Sequence, residues 1–363
     1  MAEAISDRKR SHLELCQAEE VEYARKTTLL EEVDLVHDAL PELAVDEVDV
    51  GTELLGKRLR APLLITGMTG GTEEASAINR GLAEVAERHG IAFGLGSQRA
   101  MQRVPDLAYT FQVRAHAPTT LVLANLGVVQ AAAQPTAEIE RLVRAVGADA
   151  LCIHLNPAQE LIQPGGDRDF RGGLTTLRRL VAELPVPVVV KETGCGISRA
   201  VGERLVEAGV RTVDVSGAGG TSWVKVEGLR AGAPERELAE EFAEWGVPTA
   251  AALLGLRGLP LDPIASGGIR TGLEVAKAVA LGAHVAGMAL PVFRAFRDGG
   301  APAAGALIER LVAGLRTAMV LTGSRDLGAL RRAPVIIGSR LRDWVPASGH
   351  ARTGGRTPEE THG

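Results

Sequence analysis

The sequence predicts an α/β fold, a (β/α)8 TIM barrel with an N-terminal extension and a disordered C-terminal tail. Three observations predict it. From residue 61 onward, short apolar runs alternate with segments whose apolar residues recur every three or four positions; apolar strands separated by helices belong to a parallel sheet covered on both faces. There are eight such runs, and eight β/α units over about 250 residues match a closed barrel. No G-x-G-x-x-G follows the first run, which counts against the runner-up, an open doubly wound sheet.

The strands are read at residues 62–66, 91–95, 121–125, 150–155, 186–191, 212–215, 263–266 and 285–289. Helical spacing lies between them, at 75–89, 137–146, 174–184, 199–208 and 273–281. Residues 1–60 form a charged extension with a helical opening around 11–24, the barrel spans 61–345, and the Gly/Thr-rich tail 346–363 reads as disordered.

Composition excludes several classes of function. Forty basic against forty-five acidic residues give a net charge of −5, and aromatics are only 3% of the chain. A nucleic-acid protein needs a basic excess and stacking aromatics, so no nucleic-acid partner is expected. Cys16, Cys152 and Cys195 are too scattered for a disulfide framework or a C-x-x-C zinc site, which fits a reducing cytoplasm. The N-terminus has charges but no apolar stretch behind them, unlike a secretory signal. The longest uncharged apolar segment, 278–293, is too short for a bilayer span, so no membrane partner is expected.

Polar residues that do not suit a core fall just after the strands. They are Gly67-Met-Thr-Gly-Gly-Thr72, Gly96-Ser-Gln-Arg99, Asn125-Leu-Gly127 and His154-Leu-Asn-Pro-Ala-Gln-Glu160, then Lys191-Glu-Thr-Gly-Cys-Gly196, Asp214 through Trp223, Ser266-Gly-Gly-Ile-Arg270 and Gly287-Met-Ala-Leu290. In a barrel all of them reach one C-terminal rim, where active sites are assembled.

Each group has a plain reading beside a functional one. Gly267 and Gly268 are ordinary turn glycines or part of a phosphate cradle, where backbone N–H groups approach an anion. Lys191 either snorkels from a strand end or faces an anionic group in the mouth, since burying its charge is costly. His154 and Asn156 flank Leu155 at period two, so both face one side, as core residues or pocket walls. Glu160 is a solvated carboxylate or a Mg²⁺ ligand working with substrate phosphates. Arg8-Lys9-Arg10 is a solvated patch or folds over the mouth to hold a diphosphate. Trp223 is core or pocket wall, and Asp167-Arg168-Asp169 is a local charge network without an assigned role.

Together these motifs resemble the type 2, FMN-dependent isopentenyl-diphosphate Δ-isomerases. The matching pieces are Arg8-Lys9-x-x-His12, Met68-Thr-Gly-Gly71, Gly96-Ser-Gln-Arg99, Asn125-Leu-Gly127, His154-Leu-Asn-x-x-Gln-Glu160, Gly166-Asp-Arg-Asp-Phe170, Lys191-Glu-x-Gly-x-Gly-x-Ser198, Ser216 through Trp223, and Ser266-Gly-Gly-Ile-Arg270. Gly166 departs from the pattern, because a Glu often stands there.

The resemblance implies FMN contacts from Met68, Thr69, Gly70, Ser97, Asn125, Lys191, Ser216 and Thr221, with the phosphate against Gly267, Gly268, Arg270 and the Ala289-Leu290 step. It implies substrate contacts from Arg8, Lys9, Ser97, Gln98, Arg99, His154, Asn156 and Gln159, with Glu160 on Mg²⁺. Its catalytic side chains would be His154, Gln159, Lys191 and Trp223. The implied reaction turns isopentenyl diphosphate into dimethylallyl diphosphate, with reduced FMN as acid and base and NADPH only reducing the flavin beforehand. A homo-oligomer, tetramer or octamer, is implied as well.

Two other enzymes on the same barrel make different demands. A flavin 2-hydroxy-acid oxidase needs a rim His-Gly-x-Arg element, yet His89-Gly90 lies at a helix end and continues Ile91-Ala92. An inosinate-dehydrogenase-like enzyme needs a reactive cysteine after strand six, where 216–223 has none. A non-enzymatic flavin binder gives no reason for the Arg8, His154 and Glu160 set.

Overall fold

A computed structural model of the chain describes residues 2–345, with side chains from Lys9 onward. Eight parallel strands close into a barrel: Leu63–Ile65, Ala92–Gly94, Val122–Gly127, Ala150–Leu155, Val188–Glu192, Thr212–Asp214, Asp262–Ala265 and Val285–Met288. They neighbour one another in chain order, and closure comes from pairing of the eighth strand with the first, Ala286 beside Leu63 and Met288 beside Ile65. The eight expected runs are the eight strands. The fifth starts two residues later than the apolar run because Pro187 has no N–H to donate, though its carbonyl accepts from Leu151.

Alternation along the strands sorts side chains into two cores. Leu64, Ala92, Leu123, Ala150, Cys152, Val189, Ile264 and Val285 point inward and pack with Leu54 and Leu59. The last two belong to the hairpin Thr52–Leu54 and Lys57–Leu59, so the hairpin plugs the barrel's N-terminal end. The alternate residues, among them Ile65, Phe93, Ala124, Ile153 and Val190, face the surrounding helices. Those helices include Glu73–His89, Thr136–Ala145, Gly173–Glu183, Arg199–Glu207 and Gly272–Ala280, each within two residues of its expected bounds at either end.

The N-terminal extension differs from expectation. Its helix runs Ala2–Ala18 rather than 11–24. Ala and Glu near the start extend it, being strong helix formers. Three acidic residues, Glu19, Glu20 and Glu22, follow its end, where negative charge opposes the helix dipole. The chain from there is extended and bonds to the loop after strand six: Tyr23 N–H donates to Gly220 O, and Ser222 N–H donates to Val21 O, both 2.9 Å. The tail 346–363 lies outside the described residues, as does the side chain of Arg8.

Candidate active site

The inward set changes from apolar to polar one step up the strands. Period two places Thr66 above Leu64, Asn125 above Leu123, His154 above Cys152, Lys191 above Val189 and Ser266 above Ile264. All five polar residues are buried. They floor a cavity of about 1310 Å³, counting its open mouth, at the C-terminal end of the barrel.

Most of the expected residues meet there. Lys9, Met68, Ser97, Arg99, Asn125, His154, Asn156, Gln159, Glu160, Lys191, Ser216, Thr221, Trp223, Gly267, Gly268, Arg270, Ala289 and Leu290 all line the cavity. Gln98 does not. Its side chain turns into the barrel wall, donating to Leu142 O at 3.2 Å and accepting the Asn125 N–H at 3.0 Å, so it supports Asn125 from behind the lining. Thr69 and Gly70 also sit behind the lining. An added Cβ on Gly70 would lie 2.0 Å from the Phe111 ring, so packing demands that glycine.

His154 is held as a neutral imidazole. Its Nδ1 lies 2.8 Å from Asn125 Oδ1, which accepts the Nδ1 proton and leaves Nε2 with a lone pair. Burial and the nearby charges of Lys191, Lys9 and Arg99 push its pKa down to about 3. Lys191 sits beside Asp214 in register, and Asp214 accepts from Ser266 Oγ at 2.5 Å. Burial pushes the Asp214 carboxyl up, against the pull of Lys191 and Ser266.

A second cluster comes from elements the sequence did not connect. His12, on the N-terminal helix, places Nε2 2.9 Å from Glu227 Oε1 and stacks edge-on against Trp223, ring centroids 5.1 Å apart. Gln159 Nε2 donates to the same Glu227 oxygen at 3.0 Å, and Arg230 holds the other at 2.5 Å. Burial alone would raise Glu227, but the bonds from His12 and Gln159 and the Arg230 charge outweigh it and hold the carboxylate near 2. Burial lowers His12. Glu227 was missed in the sequence. The signal was there: it stands four residues after Trp223 in the helix Trp223–Arg230, on the same face.

Glu160 closes the cluster. Its oxygens accept from Asn156 Nδ2 at 3.2 Å and from the Asp167 N–H at 2.7 Å, and Arg99 lies 3.6 Å away. Among the described residues no group of three His, Cys, Asp or Glu forms a metal cage. The donor set suits a Mg²⁺ that arrives on a diphosphate, which needs one or two carboxylates and keeps its waters.

The opposite side of the mouth suits a flavin phosphate. Gly267 and Gly268 hold φ of 94° and 80°, and a Cβ on Gly267 would lie 2.1 Å from Gly217 O. The helix that begins at Leu290 points its N-terminus at the cavity. Ser216 adopts φ 38°, an uncommon conformation for a residue with a side chain, and such strain gathers at functional sites. Thr69 Oγ1 is buried without a partner just behind the lining, a polar atom that a cofactor hydroxyl or carbonyl would satisfy.

The model of the FMN-dependent dehydrogenase family matches residues 1–160 and 158–336. An isopentenyl-diphosphate delta-isomerase of Synechococcus is 49% identical over 337 residues, 92% of this chain and 97% of its own length. One from Nostoc is 46% identical over 330 residues, 90% of this chain and 94% of its own. The chain belongs to the isopentenyl-diphosphate delta-isomerase family of type 2.

Like the isopentenyl-diphosphate delta-isomerases it matches, the chain is an enzyme. Its barrel is also shared with crystalline mandelate oxidase bound to (S)-2-phenylpropionate, at a TM-score of 0.60 and 19% identity over 93% of this chain and 98% of that one. That likeness is one of fold. His89, one of two histidines followed by glycine, packs outside the barrel against Gly305 rather than at the mouth; the other, His362, lies outside the described residues. No helix among the described residues is long and apolar enough to cross a membrane.

Proposed function

We propose that the chain interconverts isopentenyl and dimethylallyl diphosphate with reduced FMN, Mg²⁺ and NADPH, as a homo-oligomer in the cytoplasm. The single observation that carries the reading is the union, in one mouth, of a cationic and carboxylate side (Lys9, Arg99, Glu160) with a flavin-type glycine side (Gly267, Gly268), in a chain nearly half identical to named isomerases. When bound, FMN reduced by NADPH supplies the acid and base that move the proton.

The reaction shifts one double bond. A proton is added to the terminal alkene carbon and another leaves the methylene on the other side of the tertiary centre, next to the OCH2 group, through positive charge at that centre. An isolated alkene is a feeble base, so the protein's task is to hold the chain still and to shelter that charge. Lys9 and Arg99 bind the diphosphate as a point charge and a fork, and Glu160 takes its metal ion. Asn156 and Gln159 face the substrate, and Glu227 fixes Gln159 by accepting from its amide. Trp223 offers an aromatic face to the positive charge, worth about 0.5–2 kcal/mol. His154 stays neutral, so it adds no charge that would repel the cation.

Lys191 lines the cavity floor, where its fixed positive charge would stabilise the reduced, anionic form of a bound flavin. FMN, when bound, would be held at its ring by Met68, Ser97, Asn125, Ser216 and Thr221, with Thr69 just behind them, and at its phosphate by Gly267, Gly268, Arg270, Ala289 and Leu290.

The deciding experiment incubates purified protein without oxygen with isopentenyl diphosphate, FMN, Mg²⁺ and NADPH, and follows dimethylallyl diphosphate by NMR and NADPH by absorbance. Product without net NADPH consumption per turnover supports the reading. One nicotinamide oxidised per product, or no product, refutes it. Size-exclusion chromatography with light scattering tests the oligomer separately.

A further inference from the structure

Asp167, left without a role by the sequence, stands just behind the cavity lining and pairs there with Arg99, which lines it. Arg99 Nη1 lies 3.6 Å from Glu160 Oε1 and 3.7 Å from Asp167 Oδ2. One guanidinium nitrogen therefore serves two carboxylates. All three side chains are largely removed from water, with 15%, 7% and 24% of their areas exposed for Arg99, Glu160 and Asp167. The carboxylates are otherwise fixed by neutral donors: Asn156 Nδ2 and the Asp167 N–H on Glu160, and Gln130 Nε2 on Asp167 at 2.6 Å. Amides position a carboxylate without cancelling its charge, so both carboxylates pair with the one guanidinium of Arg99, while Arg168 is turned to the backbone carbonyls of Glu160, Gln163 and Asp167.

The way Arg99 is held also matters. Its distances are those of an ion pair rather than of hydrogen bonds, and its Nε is buried without a partner. A guanidinium locked as a fork would have to break two bonds in order to move. This one is retained by charge alone, and a stronger cation can displace it.

We propose that Asp167 is a positioning residue: with Glu160 it keeps Arg99 at the place a divalent cation takes when a metal diphosphate enters, and the exchange releases Arg99 onto the diphosphate. The inference rests on the isomerase reading above and deepens it. A dication neutralises both carboxylates, and the freed guanidinium faces the phosphate oxygens. Without metal, a diphosphate must draw Arg99 off two carboxylates that repel it. Metal and diphosphate thus strengthen each other's binding, by the reciprocity that any such coupling obeys.

The test uses the full-length, FMN-loaded protein and inorganic pyrophosphate as the probe, titrated calorimetrically with Mg²⁺ or with EDTA. The unaltered protein is expected to bind pyrophosphate at least tenfold tighter with Mg²⁺. In Asp167→Asn, metal-free binding should strengthen threefold or more and the Mg²⁺ advantage fall below threefold, while Asp167→Glu restores it. Arg99→Gln should weaken pyrophosphate binding in both conditions, yet bind Mn²⁺ alone at least fivefold tighter by EPR, having lost the competing charge. A merely structural Asp167 would weaken both arms alike and leave their ratio, which overturns the proposal. So does an unchanged or lower Mn²⁺ affinity in Arg99→Gln, the measurement that decides if Asp167→Asn does not load FMN. Absent isopentenyl diphosphate turnover with an intact Mg²⁺ advantage refutes the isomerase and leaves the exchange standing.

Discussion

Glu227 concentrates the residue-scale chemistry. One buried carboxylate receives His12, Gln159 and Arg230, three groups from three separate segments. Glu227→Gln keeps the volume but loses the charge that Arg230 answers and an acceptor for one of these donors. Turnover should fall about ten- to a hundredfold, the size of a lost charge-assisted bond of roughly 1.5–3 kcal/mol, with FMN affinity within threefold of the original. Flavin fluorescence and steady-state kinetics on one preparation check both halves. A lost flavin with normal kinetics in excess FMN would move Glu227 to the cofactor side. Another residue-scale prediction concerns Glu192, one place along from Lys191 and buried behind it. Its Oε2 accepts from the N–H groups of Thr193, Gly194, Cys195 and Gly196. Burial nevertheless pushes its pKa up to about 7. The folded chain then holds a proton that the unfolded chain, with an ordinary Glu near 4.3, has released. Stability contributed by this group is complete below about pH 4 and declines as the pH rises toward 7, by about 3 kcal/mol in all, an order-of-magnitude figure. Glu192→Gln should flatten that decline, seen as a smaller drop in thermal midpoint between pH 5 and 7.5 than in the parent. Equal drops would mean that Glu192 is ionised throughout.

The glycine loops act as elements, and their demand is steric. Gly267 combines φ 94° with a would-be Cβ 2.1 Å from Gly217 O, so the turns after strands six and seven touch backbone to backbone. Gly267→Ala must push them apart. FMN affinity should drop at least tenfold, because the cradle is made by those turns, and the apoprotein's thermal midpoint should fall as well, since left-handed strain and overpacking each cost about 1–3 kcal/mol. Fluorescence titration and calorimetry read the two effects. An alanine variant that binds FMN normally removes the seventh turn from the phosphate site. These loops also show what is legible in a sequence. All eight strands were readable because continuous apolar runs have one structural meaning once helices separate them. The rim was readable because Asn125, His154 and Lys191 each close such a run. The direction of Gln98 was not legible because a turn residue has no period to fix it: Ser97 and Arg99 face the cavity while Gln98 faces the wall. Glu227 and Gln130 lie one helical turn beyond the rim motifs, where a charged or amide residue looks the same whether it is solvated or buried.

At the scale of the whole molecule, the N-terminal extension joins loops that the barrel keeps apart. Tyr23 donates to Trp245 O at 2.7 Å, beside Gly194 O at 2.8 Å, Glu22 pairs with Arg270 after strand seven, and Arg294, on the helix after strand eight, donates to Cys16 O and Glu19 O at 2.9 Å. The segment carrying Lys9 and His12 is therefore fastened to four β/α units, although its own helix has few neighbours. Such an arrangement predicts a separable role. Arg294→Ala removes both carbonyl contacts at the end of the helix and leaves every cavity-lining residue in place. Helix and strap should open locally at a lower free energy than the barrel, since local openings follow the contacts of the element concerned. Trypsin should then cut at Arg25 or Lys26 several-fold faster than in the parent, and KM for isopentenyl diphosphate should rise about three- to tenfold with little change in kcat, because Lys9 spends less time over the mouth. FMN affinity should stay constant, its proposed contacts all lying on the barrel loops. A variant that loses FMN and keeps its KM would mean that the extension holds the cofactor rather than the substrate.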